Sequence, residues 1–468
     1  MIILRSLLII CASTLLMANA TTSLVQKKEY TEIKDKTQFY KPSLKKGEFA
    51  TALLFHTKAD TEWASKFDIV QAGGLYDVNV TPKLLKENSL LKTSYCVGYD
   101  WMPAFYYYTQ SQNRPFIDWL YKNKENTTLN PSGPFPHCKR NHYDWCEDYY
   151  YDYLDDTVIK KRVEDLIGNM KKRAYNGVFF DWASANFLLE NENNHIHDFL
   201  QEKHPDQDYG EAIGTFYGML QKKGALVITN QAFRNHEALL PHVDYDMTES
   251  YIATTKTIKQ KIILVEKDDK QVETVNVTRY YPINANSKNM QDTLYYLKLL
   301  ENYKKQYKKY GFKNFIYMNY LAPDYKKIGT NKYKVMKPKN AIYYSYATAK
   351  LTDSIVYAEV PHDRSLERDE IYFYDLGEAQ GTTYREIEGL DAYVRFYTKG
   401  FVISSDAYND EKYISINSIA LKKHRIIYDT FNNTYLPVKA GHVVVKLHYK
   451  QEAFTKKYLP LGRVYLYK

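Results

Sequence analysis

Three times along this chain, apolar side chains spaced three or four residues apart give way across a glycine to a short unbroken apolar run that stops on a polar residue. Val158, Ile159, Val163, Leu166, Ile167 and Met170 share one helical face, and Gly177 then opens Val178-Phe179-Phe180, which ends on Asp181. Ile213, Phe216, Tyr217 and Leu220 precede Gly224 and the run Ala225 to Asn230. A longer amphipathic stretch, Met290 to Tyr310, turns Leu294, Leu297, Leu299 and Leu300 toward a sheet and lysines toward water, and is followed by Gly311 and Phe315 to Asn319. Asp155 or Asp156 is placed to cap the first helix. Each last turn is basic, as the helix dipole favours, and each glycine reads as a left-handed C-terminal cap. Three helix-then-strand units predict a parallel sheet.

Weaker apolar runs extend the series. Phe49 to Thr57, Phe67 to Gly74, Leu91 to Trp101, Val243 to Tyr251 and Ser354 to Val360 bring the strand count to that of a (β/α)8 barrel. The units from Phe49 to Phe67 and from Leu226 to Asp244 are short, so an irregular barrel or an open doubly wound sheet is the alternative. Residues 261–281 alternate around Asp268-Asp269 and predict a hairpin. Beyond Val360 the helical pattern stops, and strand-like segments follow at Glu370 to Tyr374, Ala392 to Ser405, Tyr413 to Ile419, Arg425 to Tyr428, His442 to Tyr449 and Arg463 to Tyr467. The fold class is therefore α/β: a (β/α)8 TIM-type barrel over residues 21–360, with a C-terminal antiparallel β-sandwich domain over residues 361–468.

The first 20 residues carry Arg5, an apolar core from Leu7 to Leu16 and Ala18-Asn19-Ala20, the layout of a cleaved signal peptide. A membrane anchor needs about 20 unbroken apolar residues, and Ser13, Thr14 and Asn19 oppose it. The expectation is a secreted or periplasmic protein without membrane insertion. The net charge of +9 is mild for 468 residues, and the lysines lie mostly on helix faces and last turns, so nucleic acid is not an expected partner. Cys138 and Cys146 flank a short loop that a disulfide could close in an oxidising compartment, zinc being the weaker alternative, and Cys96 reads as a buried thiol. Nothing in the chain sets an oligomeric state.

Tyrosine stands out, with 47 against 20 phenylalanines and 5 tryptophans. A ring apolar on its face and polar at its tip suits sugars, which stack through C–H faces and hydrogen-bond through hydroxyls. The clusters Tyr106 to Tyr108 and Tyr149 to Tyr151 fall in the long loop after the third strand.

Under the barrel assignment His56, Gln71, Asp100, Asp181, Asn230, Glu249 and Asn319 collect at one rim. The chain has no serine nucleophile elbow, phosphate-binding glycine loop or His-Glu-x-x-His motif. Carboxylates, amides and aromatics remain, which is the inventory of glycoside hydrolysis and calls for no cofactor and no metal. Asp181 is the first catalytic candidate, with capping of a following helix from Ala183 to Leu189 as its structural use. Glu249 is the second, with an ion pair as the alternative. Tyr99, Asp100, Trp101, Trp182, Asn230 and Asn319 are the substrate-binding candidates. Asp100 is equally suited to a structural role or to replacing Glu249 as the acid, and the asparagines to loop capping.

Gly177-Val178-Phe179-Phe180-Asp181-Trp182, Met247-Thr248-Glu249-Ser250-Tyr251 and the distal run Tyr393 to Ile403 resemble the glycosyl-hydrolase-like barrels related to the α-galactosidase and endo-polygalactosaminidase families. The resemblance covers most of the mature chain in layout and is specific at these stretches. It implies a fourth-strand Asp as nucleophile and a sixth-strand carboxylate as acid/base, roles that pass to Asp181 and Glu249. The expected function is an exported glycoside hydrolase cleaving O-glycosidic bonds of an extracellular or envelope polysaccharide. A catalytically inactive barrel that binds polysaccharide is the alternative, and a structural surface protein a third reading.

Overall fold

Apolar runs with no polar alternation need cover on both faces, and in a computed structural model of the chain they receive it. The structure describes residues 49–54, 61–75, 94–100, 105–107, 148–184, 202–258, 263–265, 271–272, 277–281, 290–360, 364–451 and 458–468. Eight parallel strands hydrogen-bond in chain order: β1 (Ala52–Leu53), β2 (Ile69–Gly74), β3 (Tyr95–Asp100), β4 (Gly177–Phe180), β5 (Leu226–Asn230), β6 (Tyr245–Glu249), β7 (Asn314–Tyr320) and β8 (Ile355–Glu359). β1 lies against β8, so the sheet curls into a near-closed barrel. Every residue of β4, β5 and β8 is buried, because side chains alternate between the barrel interior and the surrounding helices.

The helices form where the periodicity placed them. α1 (Asp156–Arg173) is capped by Asp155, whose Oδ1 accepts from Thr157 N at 2.7 Å, and it buries the six apolar residues of its predicted face. α2 (Tyr209–Lys222) and α3 (Met290–Tyr307) follow, α3 ending in a 3-10 turn, Lys308–Tyr310. Gly224 and Gly311 are left-handed, with φ of 86° and 108°, as the caps require. Gly177 corrects the pattern. The left-handed residue ending α1 is Ala174, and Gly177 opens β4, where a Cβ would stand 2.1 Å from the Leu226 carbonyl oxygen. That glycine lets β4 and β5 meet and caps nothing.

The antiparallel region contains β9 (Arg385–Glu386), β10 (Ala392–Phe396), β11 (Gly400–Ser405), β12 (Lys412–Asn417), β13 (Ile426–Asp429), β14 (Thr434–Pro437), β15 (His442–Leu447) and β16 (Leu461–Tyr467). Six of them pair in the order β9-β10-β11-β16-β13-β14, and β12 pairs with β15. Alternate residues of β10, β11 and β16 serve two cores: Tyr393, Val402 and Val464 join the barrel's, while Val394, Ile403 and Tyr465 pack with Ile414, Ile416, Val443 and Val445 of the second sheet. Glu370 to Tyr374, expected as a strand, is instead a 3-10 turn, Glu370–Phe373, held by Asp369 accepting from Ile371 N at 3.1 Å.

α4 (Lys339–Lys350) packs against β8 on one side and β11 and β16 on the other. The approach is close enough that a Cβ on Gly462 would stand 2.0 Å from the Tyr343 carbonyl oxygen. Between β6 and α3, Thr254–Ile258 pairs antiparallel with Val277–Tyr281, and Ile263–Val265 with Gln271–Val272, so the hairpin is longer than residues 261–281 alone. The signal-peptide residues, His56, Trp101, Tyr108, Cys138 and Cys146 lie outside the described residues. Cys96 is buried, and so is Tyr151, where it packs in the core. Among the described residues no helix is long and apolar enough to cross a membrane.

Candidate active site

Ladder register decides which strand-end residues face the barrel interior. β3 pairs with β4 through Tyr99 and Phe179, β6 with β7 through Glu249 and Met318, and β7 with β8 through Tyr320 and Glu359. Partners in a parallel ladder point to the same side, so Tyr99, Asp181, Asn230, Glu249, Tyr320 and Glu359 form one inward set at the C-terminal rim. The backbone turns sharply just beyond three of them. Trp182, Gln231 and Ser250, the residues after Asp181, Asn230 and Glu249, have φ of 51°, 63° and 57°. Left-handed backbone at non-glycine residues costs energy and gathers where side chains must be aimed.

One amide joins the two acids. Asn230 Nδ2 donates to Asp181 Oδ1 at 2.7 Å and to Glu249 Oε1 at 2.5 Å. Those two oxygens thus stand no farther apart than the sum of the two lengths. Asp181 Oδ2 also accepts from the Tyr99 hydroxyl at 2.9 Å, and Oδ1 from Trp182 N at 2.9 Å. Tyr320 OH donates to Glu249 Oε2 at 3.4 Å.

The environment separates the two carboxyls. Burial pushes Asp181 up to about 6, opposed by the hydrogen bonds from Asn230, Tyr99 and its neighbour's N–H. Burial also lifts Glu249, and the charge of Asp181 lifts it further, to about 8; Asn230 and Tyr320 oppose this, and Glu359 adds to it. Asp181 has more hydrogen-bond donors stabilising its anion, so it ionises first and Glu249 keeps the shared site's proton.

The other sequence candidates are placed as follows. Asp100 points outward from β3 to Arg162 on α1, whose Nη2 lies 2.5 Å from Oδ2, with both side chains buried. That is the structural use left open for it. Asn319 also lies on the outer side of β7, where its Oδ1 accepts from Ile252 N at 3.2 Å and Ala253 N at 3.0 Å and so ties down the chain after β6. Trp182 is half-buried against the barrel core, and Gln71 is buried on β2.

Sequence reasoning missed Tyr320, Glu359 and Asp246. Glu359 ends β8 as Asp181 follows β4, and the same rule of an acid closing an apolar run finds it. Tyr320 follows from counting alternation along β7 instead of stopping at the first polar residue. Asp246 lies on the outer side of β6, where it accepts from Thr229 Oγ1, Ala232 N and Phe233 N at 2.8, 2.9 and 3.0 Å and fixes the turn after β5. Burial raises it to about 7. Among the described residues no group of His, Cys, Asp and Glu could hold a metal ion.

No family model matches the chain, and no curated protein matches it. Among solved structures it is similar to the glycoside hydrolase domain of PelA from Pseudomonas aeruginosa, at 14% identity and a TM-score of 0.36 over 68% of this chain and 94% of that one. It is also similar to a maltogenic α-amylase, AmyB, from Thermotoga neapolitana, at 10% identity and a TM-score of 0.39 over 86% and 92% of the two chains. An α-galactosidase from Geobacillus stearothermophilus matches at 9% identity and a TM-score of 0.41, over 87% of this chain and 52% of that one. What the rim can do is set by its own residues.

Proposed function

We propose that this chain is an exported glycoside hydrolase that cleaves O-glycosidic bonds of an extracellular or envelope polysaccharide with Asp181 as nucleophile and Glu249 as acid/base. The observation that carries the reading is the Asn230 amide, which holds both carboxyls on one nitrogen. In retaining glycosidases the two carboxyl groups stand roughly 5–5.5 Å apart, whereas inverting enzymes leave about 6.5–9.5 Å for a water. The Asn230 bridge supports the retaining arrangement. Asp181 attacks the anomeric carbon as the bond to the leaving oxygen breaks, and Glu249 gives that oxygen its proton. Glu249, now ionised, takes a proton from water, whose oxygen displaces Asp181 from the anomeric carbon. The ionisation order supports this division of labour, because the nucleophile must be charged while the acid is still protonated.

The test is release of new reducing ends from a panel of bacterial and amino-sugar polysaccharides by the purified full chain. Wild type should release products that Asp181→Asn does not, with circular dichroism unchanged. Equal release by both proteins rejects the mechanism, and binding without release by either leaves a non-catalytic polysaccharide-binding barrel.

A further inference from the structure

One buried arginine has no counterion. Arg395, in the distal run Tyr393 to Ile403, is 4% exposed, yet among the described residues its Nε and Nη1 have no hydrogen-bond partner. Its Nη2 reaches the Gly381 carbonyl oxygen at 3.4 Å, beyond the usual range of about 2.7–3.2 Å. The other buried arginines are better served. Arg162 lies on Asp100, and Arg463 donates to the carbonyl oxygens of Gly462 and His448 at 2.7 and 3.2 Å, with its guanidinium 3.7 Å from the Phe431 ring centroid.

Alternation along β10 sets where Arg395 points. Tyr393 and Tyr397, two residues to either side, pack in the barrel's core, so Arg395 faces the seam between the C-terminal sheet and the barrel helices. The Tyr397 hydroxyl donates to the Lys350 carbonyl oxygen at 2.5 Å, at the end of α4. Lys304 of α3 donates to Asn314 Oδ1 and to the carbonyl oxygens of Thr352 and Asp353, each at 3.2 Å. Asn314 opens β7, so the seam lies at the barrel end opposite the rim that carries the paired carboxyls. Burial lowers the Lys304 pKa, Asp353 and Glu301 oppose this, and the charges of Lys350 and Arg395 lower it further. Burial lowers Lys350 too, opposed by Asp353. Glu301 is held by Lys305 at 3.4 Å. Cations therefore outnumber carboxylates around Arg395.

A charge taken out of water without a partner is destabilising, and native structures retain one where something answers it. At this seam the answering group is an anion. Arg395 is too enclosed for a polymer, whereas Lys304 and Lys350 are half-buried and Gly381 is exposed with open space beside its Cα, which leaves a small ion a way in. Phosphate fits best, because its several oxygens accept from guanidinium and ammonium groups that converge from different elements.

We propose that Arg395, Lys304 and Lys350 form a binding site for inorganic phosphate that clamps the C-terminal sheet to α3 and α4.

The experiment is equilibrium dialysis of the full chain against radiolabelled phosphate, at an ionic strength fixed with sodium chloride. Wild type should bind one phosphate per chain. Arg395→Met and Lys350→Met should each weaken binding about 10- to 100-fold, the scale of one hydrogen bond to a charged group. Melting curves separate a site from a general salt effect. Millimolar phosphate should raise the melting temperature of wild type and not that of Arg395→Met, which without phosphate should melt at or above wild type because an unanswered buried charge is gone. No saturable binding by wild type, binding unchanged in either variant, or a phosphate-dependent rise that persists in Arg395→Met overturns the site. So does an Arg395→Met protein that melts below wild type without phosphate, which would give Arg395 a structural partner; if that variant does not fold, Lys350→Met carries the dialysis test alone.

Discussion

Arg162 holds Asp100 on the outer side of β3, Nη2 to Oδ2 at 2.5 Å, with neither side chain in water. The same guanidinium lies 3.6 Å from Asp165 and over the Tyr151 ring. A carboxylate this well paired is a strut between the barrel and α1, which leaves the inward acids as the chemistry. Arg162→Met removes the guanidinium from the buried Asp100 carboxylate and should lower stability by roughly 3–5 kcal/mol. Urea denaturation near neutral pH checks this, and a loss below about 1 kcal/mol would return Asp100 to the list of site residues.

Glu249 makes the fold sensitive to alkali. Its folded pKa, about 8, lies above the ordinary 4.5, so the folded state binds the proton more tightly than the unfolded state. The stability this contributes is complete below pH 4.5 and is lost as pH rises through 8. Glu249→Gln keeps the neutral shape, so its stability relative to wild type should grow steadily across that window. Paired denaturation curves at several pH values measure the difference, and one that is flat with pH would mean that Glu249 is not held protonated.

Asn230 lowers the pKa of both carboxyls it bridges. Asn230→Ala should therefore move both limbs of the pH–rate profile to higher pH and reduce kcat by about 10²-fold or more, as two unlinked acids lose their alignment. An unshifted profile would assign Asn230 to packing alone.

Gly462 permits the contact between α4 and β16. Gly462→Ala places a methyl group against the Tyr343 carbonyl and should cost about 1–3 kcal/mol, without altering the pH–rate profile of the remaining activity. A melting temperature equal to wild type would show that this interface yields easily.

Much of the barrel was legible because its strands and helices differ in period. Val178-Phe179-Phe180 and the spaced residues of α1 can each belong to only one kind of element, and Asp181 was conspicuous because an acid closes an apolar run. α4 was not legible. Its residues from Asn340 to Ala349 are all buried between the barrel and the C-terminal sheet, so Ala341, Tyr344 and Ser345 face protein alike and no polar stripe marks a helix. The side of the sheet was also hard to read. Asn319 and Asp100 end apolar strands as Asn230 does, and only the pairing register turns them outward while bringing Tyr320 and Glu359 in.

The proton NMR spectrum of the first sugar released, recorded before mutarotation, decides between the two uses of a carboxylate pair. Asp181 and Glu249 share one amide nitrogen, so the new reducing end should carry the anomeric configuration of the bond that was cut. An inverted configuration would require a water between the acids and would contradict the assignment of Asp181 as nucleophile.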